Sequence, residues 1–286
     1  MTGNTYDQSP HLHPLIEPVR NTLFGYNWYM FPGDFRNYYH QCPVRLVSGK
    51  NLHVAVLKYQ AGWSAGPAGQ QYNLKVAIRN FHGSTISPIL DSWLNSSRPT
   101  AVFAGHGLPE EISVVCRLAV QCGFVSEADL ASWVTSWIGI DCNGFVSAYY
   151  MSIGTFSRTL HNHPSYLDYA KPAKSTAEIT YDSCILWAKR TTYTGKPSTY
   201  KVVQNPSSSA HIAVIDDWYE YGSSFWVTER GGTNRYDGPP GVHQSIYDII
   251  DEPPAGCTDA QAGWKVRSRD RKSGEHVIIT RRMGTR

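Results

Sequence analysis

An α+β fold with a mainly antiparallel sheet is predicted by three features of the chain. Two helix-patterned segments between residues 109 and 137 lead directly into a third that starts near Cys142. Four segments of strand character follow between residues 179 and 229, and the chain closes on a basic hairpin pattern. Helices and strands are thus segregated along the sequence, with little sign of βαβ alternation.

The elements follow in order. Residues 1 to about 40 are rich in aromatics, Pro and His, and an apolar stretch at 24–31 ends at a Pro32-Gly33 turn. Between residues 44 and 59, Val44, Leu46, Leu52, Val54 and Val56 alternate with polar or small residues around a Ser48-Gly49-Lys50-Asn51 turn, a β pattern. Residues 61–69 are read as a glycine-rich connector; they lack the Lys-Ser/Thr of a phosphate loop. Residues 72–81 are expected to form a strand with Leu74, Val76 and Ile78 on one face. A short helix at 86–94, a break at 96–99 and a strand at 101–104 follow. Gly105-His106-Gly107 is too short a motif to define a site. Residues 1–105 form either a small domain or an elaboration of residues 106–286.

Residues 109–121 carry Pro-Glu-Glu at the start and Ile112, Val115, Cys116 and Ala119 on one face, a helix that Cys122-Gly123 closes. Ser126-Glu-Ala-Asp129 resembles a capping box and opens a helix through Leu130, Trp133, Val134 and Trp137. The third helix begins at Cys142, with Asp141 as cap and Phe145, Val146, Tyr149 and Tyr150 at helical spacing. A polar connector runs to about residue 175. Strands are expected at 179–189, 200–204, 211–216 and 224–229, and a hairpin at 264–269 and 276–281.

Composition excludes several classes. Charged residues make up 17% and aromatics 13% of 286 residues, a globular balance rather than a disordered one. The net charge of +3 is too small to argue for nucleic acid. No apolar run is long enough for a membrane span. No basic stretch followed by an apolar core marks a signal peptide, so synthesis in the cytoplasm and, for an extracellular target, a non-classical export route are expected. The six cysteines, Cys42, Cys116, Cys122, Cys142, Cys184 and Cys257, fit no zinc spacing and are too sparse for a disulfide scaffold. The pairs His11/His13 and His161/His163 lack a third ligand cluster, so neither metal nor cofactor is expected. From Lys265 onward there are eight Lys/Arg and two acidic residues. This end is either a solvated face or a surface for an anionic polymer.

The chemistry centres on Cys142. A thiol in the first turn of a helix faces unpaired N–H groups and the positive end of the dipole, which favour the nucleophilic thiolate. The alternative is a buried cysteine in an apolar helix. A nucleophile needs a base, and the base an orienting group. His211 opens an apolar strand after the polar Ser207-Ser-Ser-Ala210, which places an imidazole at a sheet edge. If residues 218–223 connect two antiparallel strands, Glu229 returns beside His211; a one-residue register shift would bring Thr228 or Arg230 instead. Asp216 and Asp217 lie at the far end of the same strand. The backbone N–H of Cys142 is the natural oxyanion donor.

Asp141-Cys142-Asn143-Gly144-Phe145-Val146 resembles the Asp-Cys-Ser-Gly-Phe-Val signature of the NlpC/P60 cysteine peptidases, a papain-like superfamily. Ala210-His211-Ile-Ala-Val-Ile is similar to that family's Gly-His-Val-Gly-Ile-Tyr strand, and Tyr181-Asp182-Ser-Cys-Ile-Leu-Trp187 to its Gly-Asp-Leu-Leu-Phe-Phe strand. The resemblance covers roughly residues 110–245. Asn143 replaces Ser, Tyr181 replaces Gly, and Glu229 stands where a second His is common. The resemblance implies papain-like helices packed on an antiparallel sheet, with a β-containing N-terminal extension. It implies a cysteine hydrolase with Cys142 as nucleophile and His211 as base; Glu229, offered by strand register, is the expected third member, and Asp141, Trp137 and Trp187 are the expected substrate contacts. The implied partner is a peptidoglycan stem peptide or another amide substrate, with an immunity or inhibitor protein as a further partner. The alternatives are a deamidase or acyltransferase on another substrate, and a binding protein with a vestigial site.

Overall fold

The computed structural model describes residues 30–60, 64–156, 163–191, 199–202, 211–231, 240–270 and 274–283. Its first half is helical around a small hairpin. Helix α1 (Pro32–His40) starts at the Pro32-Gly33 step expected as a turn, with Pro at the position whose N–H no helix needs. Strands β1 (Cys42–Arg45) and β2 (Asn51–Val54) pair antiparallel, Val44 opposite Leu52. Strand β3 (Lys58–Tyr59) pairs in parallel with β4 (Gly139–Ile140), eighty residues on.

Helices α2 (Ala65–His82), α3 (Pro88–Asn95) and α4 (Ser97–Ala104) follow, then α5 (Pro109–Gln121), α6 (Leu130–Trp137) and α7 (Cys142–Ser152). Three expectations fail here. Residues 65–69 are the first turns of α2, not part of a connector, and residues 72–81 are helical rather than a strand. Gln71, Leu74 and Ile78 are buried while Tyr72 and Val76 face solvent, so burial follows a period of three to four, not two. Residues 101–104 are not a strand but the end of α4. Ser96 caps that helix by accepting the Arg98 N–H, Pro99 sits harmlessly in its first turn, and Gly105 closes it at φ +88°. The Ser126–Asp129 pair forms, Ser126 Oγ donating to Asp129 at 2.6 Å, and α6 starts just after it.

The second half is a closed barrel. Six antiparallel strands, β5 (Ser183–Thr191), β7 (Ile212–Glu220), β8 (Ser224–Glu229), β9 (His243–Asp251), β10 (Gly263–Ser268) and β11 (Glu275–Arg282), pair in that order, and β11 returns to β5. Strand β6 (Thr199–Val202) pairs antiparallel with the end of β5, Ala188 opposite Val202. The antiparallel sheet expected from the sequence is therefore present and curls until its ends meet, which removes its edges. Strand β9 was not anticipated. Its inward positions His243, Ser245 and Tyr247 are polar or amphipathic, so it lacks the apolar alternation that marks a strand.

Two cores result. Ile185, Ala213, Ile215, Phe225, Val227, Tyr247, Trp264, Val266, Val277 and Ile279 fill the barrel. The opposite face of β5, β7 and β11, through Cys184, Leu186, Ile212, Val214 and Ile278, joins a larger core built by the helices. That core runs from Met30 through Phe35, Leu74 and Phe103 to Phe145 and Tyr149, so it is continuous across residue 105. Each fully buried aliphatic or aromatic side chain in it contributes about 1.5–3 kcal/mol. Helix α7 is also tied to the barrel by polar contacts: the hydroxyls of Tyr149 and Tyr150 donate to the side chain and carbonyl of Asp182, which takes φ +66° just before β5. Among the described residues no helix is long and apolar enough to cross a membrane.

Candidate active site

Helix α7 begins where three separate segments meet. The β3–β4 pairing sets Tyr59 opposite Ile140, and a Cβ on Gly139 would lie 2.6 Å from the Lys58 carbonyl oxygen. Asp141 caps the helix: its Oδ1 accepts the Gly144 N–H at 2.5 Å, and its Oδ2 lies 2.9 Å from His106 Nε2. Its N–H donates to Gly105 O at 3.0 Å. Gly144 has no room for a side chain, because a Cβ there would fall 2.0 Å from the same Gly105 oxygen. Asn143 is anchored from outside the helix, its Oδ1 accepting from Tyr166 OH at 2.9 Å. Both the Asp and the Gly of Asp-Cys-Asn-Gly are thus required locally, one as a cap and one for close approach.

The Cys142 thiol is buried, and the N–H groups of Ile212 and Asn143 and the Tyr59 hydroxyl around it favour its ionised form. Burial first, and the Asp141 carboxylate second, push the thiol up to about 12, while these three donors act in the opposite direction. The helix start therefore does not leave a standing thiolate, contrary to the expectation from the dipole alone. At rest Cys142 carries its proton.

Ile212 follows His211, so the strand that supplies a donor to the thiol also carries the imidazole. The Trp187 N–H donates to the His211 carbonyl at 3.1 Å, and the edge of the Trp187 ring meets the imidazole with centroids 5.3 Å apart. Strands β7 and β8 pair with Ala213 opposite Glu229. This register brings Glu229 Oε2 to 2.5 Å from His211 Nε2. The carboxylate is fully buried. Ser245 Oγ donates to its Oε1 at 2.6 Å, Tyr247 OH to its Oε2 at 3.1 Å, and His243 Nε2 lies 3.8 Å from Oε1. An ionised carboxylate only accepts, so it holds the imidazole proton on Nε2 and leaves Nδ1 as the acceptor. Thr228, the register alternative, faces the other way and donates to Asp216 at 2.8 Å.

Arg230 directly follows β8, with its guanidinium carbon 5.2 Å from the centroid of the Tyr59 ring. The arrangement can remove a proton from a thiol, hold an imidazolium against a carboxylate, and direct N–H groups at a developing negative charge.

The other expected residues fall differently. Asp141 is spent inside the protein, with both carboxylate oxygens engaged by Gly144 and His106, rather than presented to a substrate. Trp187 adjoins the imidazole. Trp137, on α6, has Lys58 Nζ 5.8 Å from its ring centroid. Tyr59, Ser245 and Tyr247 went unread, since their role depends on contacts across the fold. Arg230 entered only as a register alternative beside His211, and His106 was passed over in a glycine motif too short to define a site. His11, His13, His161 and the His163 side chain lie outside the described residues. Among the described residues no group of three or more His, Cys, Asp or Glu could hold a metal ion. No protein-family model, curated protein or solved structure matches the chain.

Proposed function

We propose that this chain is a cysteine hydrolase that cleaves an amide bond through a thioester acyl-enzyme. The observation that carries the reading is the buried His211–Glu229 pair at the start of the strand whose Ile212 N–H favours ionisation of the Cys142 thiol. In this reading His211 Nδ1 takes the thiol proton as Sγ attacks the carbonyl carbon. Glu229 stabilises the imidazolium, and the N–H groups at the start of α7 receive the oxyanion. His211 then protonates the leaving amine, and water, activated by the same imidazole, releases the acyl group.

The resemblance of Asp141–Val146, 181–187 and 210–215 to NlpC/P60 motifs supports a peptidoglycan stem peptide as substrate. Digestion of purified peptidoglycan, with mass spectrometry of the fragments, tests both bond and substrate. Release of a new amine terminus by the native chain and not by Cys142→Ala supports the proposal. No cleavage of any amide substrate, with Cys142 alkylated no faster than a free thiol, sinks it. The raised pKa of the buried thiol favours one rival, a binding protein with a vestigial site, and the alkylation rate separates the two.

A further inference from the structure

Arg230 is 2% exposed, and among the described residues its charge is paired with no carboxylate. Nη1 donates to the Gly231 carbonyl at 2.6 Å and Nη2 to the Leu57 carbonyl at 2.9 Å, while Nε is buried with no hydrogen-bond partner. No Asp or Glu among the described residues forms an ion pair with it. Glu229 is its neighbour in sequence but points into the barrel, where His211, Ser245 and Tyr247 engage it. A cation buried without a counter-ion is costly, and burial lowers the guanidinium pKa to about 10.

What the guanidinium does face is Tyr59, whose ring lies beneath it and whose hydroxyl is among the groups that favour ionisation of the Cys142 thiol. A cation over the ring face draws electron density from the phenol and makes its O–H a better donor. The remaining charged or titratable neighbours do not fill the gap. His40, from α1, is lowered by burial, and its hydrogen bond to the Val242 carbonyl does not restore it. His243 lies on β9, facing Glu229. On the thiol side, Asp141 is paired with His106, and Tyr166 and Cys184 are neutral, buried groups.

We infer that Arg230 is the built-in counter-cation of the Cys142 thiolate, a positioning residue acting through the Tyr59 hydroxyl. When the S–H bond breaks, the proton passes to His211 Nδ1 and the electron pair stays on sulfur. The negative charge then appears within reach of a cation that had none, in a dry site where the attraction is strong. The inference rests on the reading of Cys142 as the nucleophile and supplies what the burial of that thiol leaves unexplained: how it ionises.

The test is the pH dependence of Cys142 alkylation by iodoacetamide in the full chain, read by peptide mass spectrometry, for wild type, Arg230→Gln, Arg230→Met and Arg230→Lys. Loss of the charge is expected to raise the midpoint by about one unit or more, a rate at pH 7 about tenfold lower, and Arg230→Lys to restore most of it. Arg230→Met keeps the buried stem and removes only the charge, so it serves if Arg230→Gln does not fold. A wild-type midpoint in either neutral variant, with an intact melting transition, overturns the inference; a purely structural Arg230 would shift the melting temperature and leave the midpoint alone. The readout needs no substrate. A shifted midpoint without peptide cleavage leaves Arg230 standing and removes the hydrolase reading, and cleavage with an unmoved midpoint does the reverse.

Discussion

The imidazole and thiol sides of the candidate site come from positions 69 residues apart in the chain and are built in opposite ways. His211 belongs to the barrel: its partner Glu229 comes from the next strand, and Ser245 and Tyr247 from the strand after that. Its hydrogen bonds are in place before any substrate arrives, and the carboxylate charge is met when the imidazole takes up a proton. Cys142 belongs to the helical half. Its surroundings come from β3, β4, the loop after α4 and the residue after β8, and its nearby cation, Arg230, forms no ion pair among the described residues. One side is an anion completed by a proton on the imidazole; the other is a cation completed when charge appears on sulfur. A neutral resting thiol next to a pre-oriented base calls for proton transfer at the moment of attack rather than a standing ion pair.

The largest test of this contrast is Cys142→Ala, expected to lower amide hydrolysis by about 10⁴-fold or more with little change in melting temperature. Next, Glu229→Gln keeps the shape of the pair and removes its charge. Hydrolysis should drop by about 10²–10⁴-fold, while the alkylation midpoint of Cys142 should move less than in Arg230→Gln. If Glu229→Gln moves that midpoint more, the two sides are not separately balanced. Gly144→Ala probes the thiol side by sterics. A Cβ 2.0 Å from Gly105 O has no flexible neighbour to displace, so a loss of about 3 kcal/mol in chemical denaturation is expected. An unchanged denaturation midpoint would mean the 105–107 loop moves freely.

The smallest expected effect is at His106. Burial lowers its pKa, but the hydrogen bond and charge of Asp141 more than offset this, and the net shift is upward from 6.5. The pair therefore stabilises the fold fully below pH 6.5, and that contribution is lost as pH rises through the raised folded-state value. His106→Ala should cost about 1 kcal/mol at pH 5.5 and less at pH 9; an equal cost at both values would assign His106 to packing alone.

How much was legible follows from the range of each signal. Asp141 capping a helix at Cys142, and the pattern of α5, depend on residues within four positions, and both stand as expected. Glu229 was reachable because two adjacent strands with a short connection leave few registers; β7–β8 brings Glu229 to His211 as proposed, although β7 runs on to Glu220 and the connection is 221–223 rather than 218–223. The strand expected at 72–81 failed for a related reason. Leu74, Val76 and Ile78 satisfy alternation, yet Leu74 and Ile78 are also one helical turn apart, and only packing against neighbouring helices decides that Val76 is outside. Strand β9 was hidden because Ser245 and Tyr247 spend inward positions on Glu229.

The sequence by itself determined a helix opening on a capped cysteine, a later strand opening on a histidine, and a carboxylate returning to that histidine, because caps and hairpins are short-range chemistry. Only the tertiary structure decided that the sheet closes into a barrel, that His106 doubles the cap, and that Tyr59 and Arg230, 171 positions apart, meet at the thiol. Burial, charge and partner at such a point are set by segments far apart in the chain, and no local pattern encodes which of them will converge.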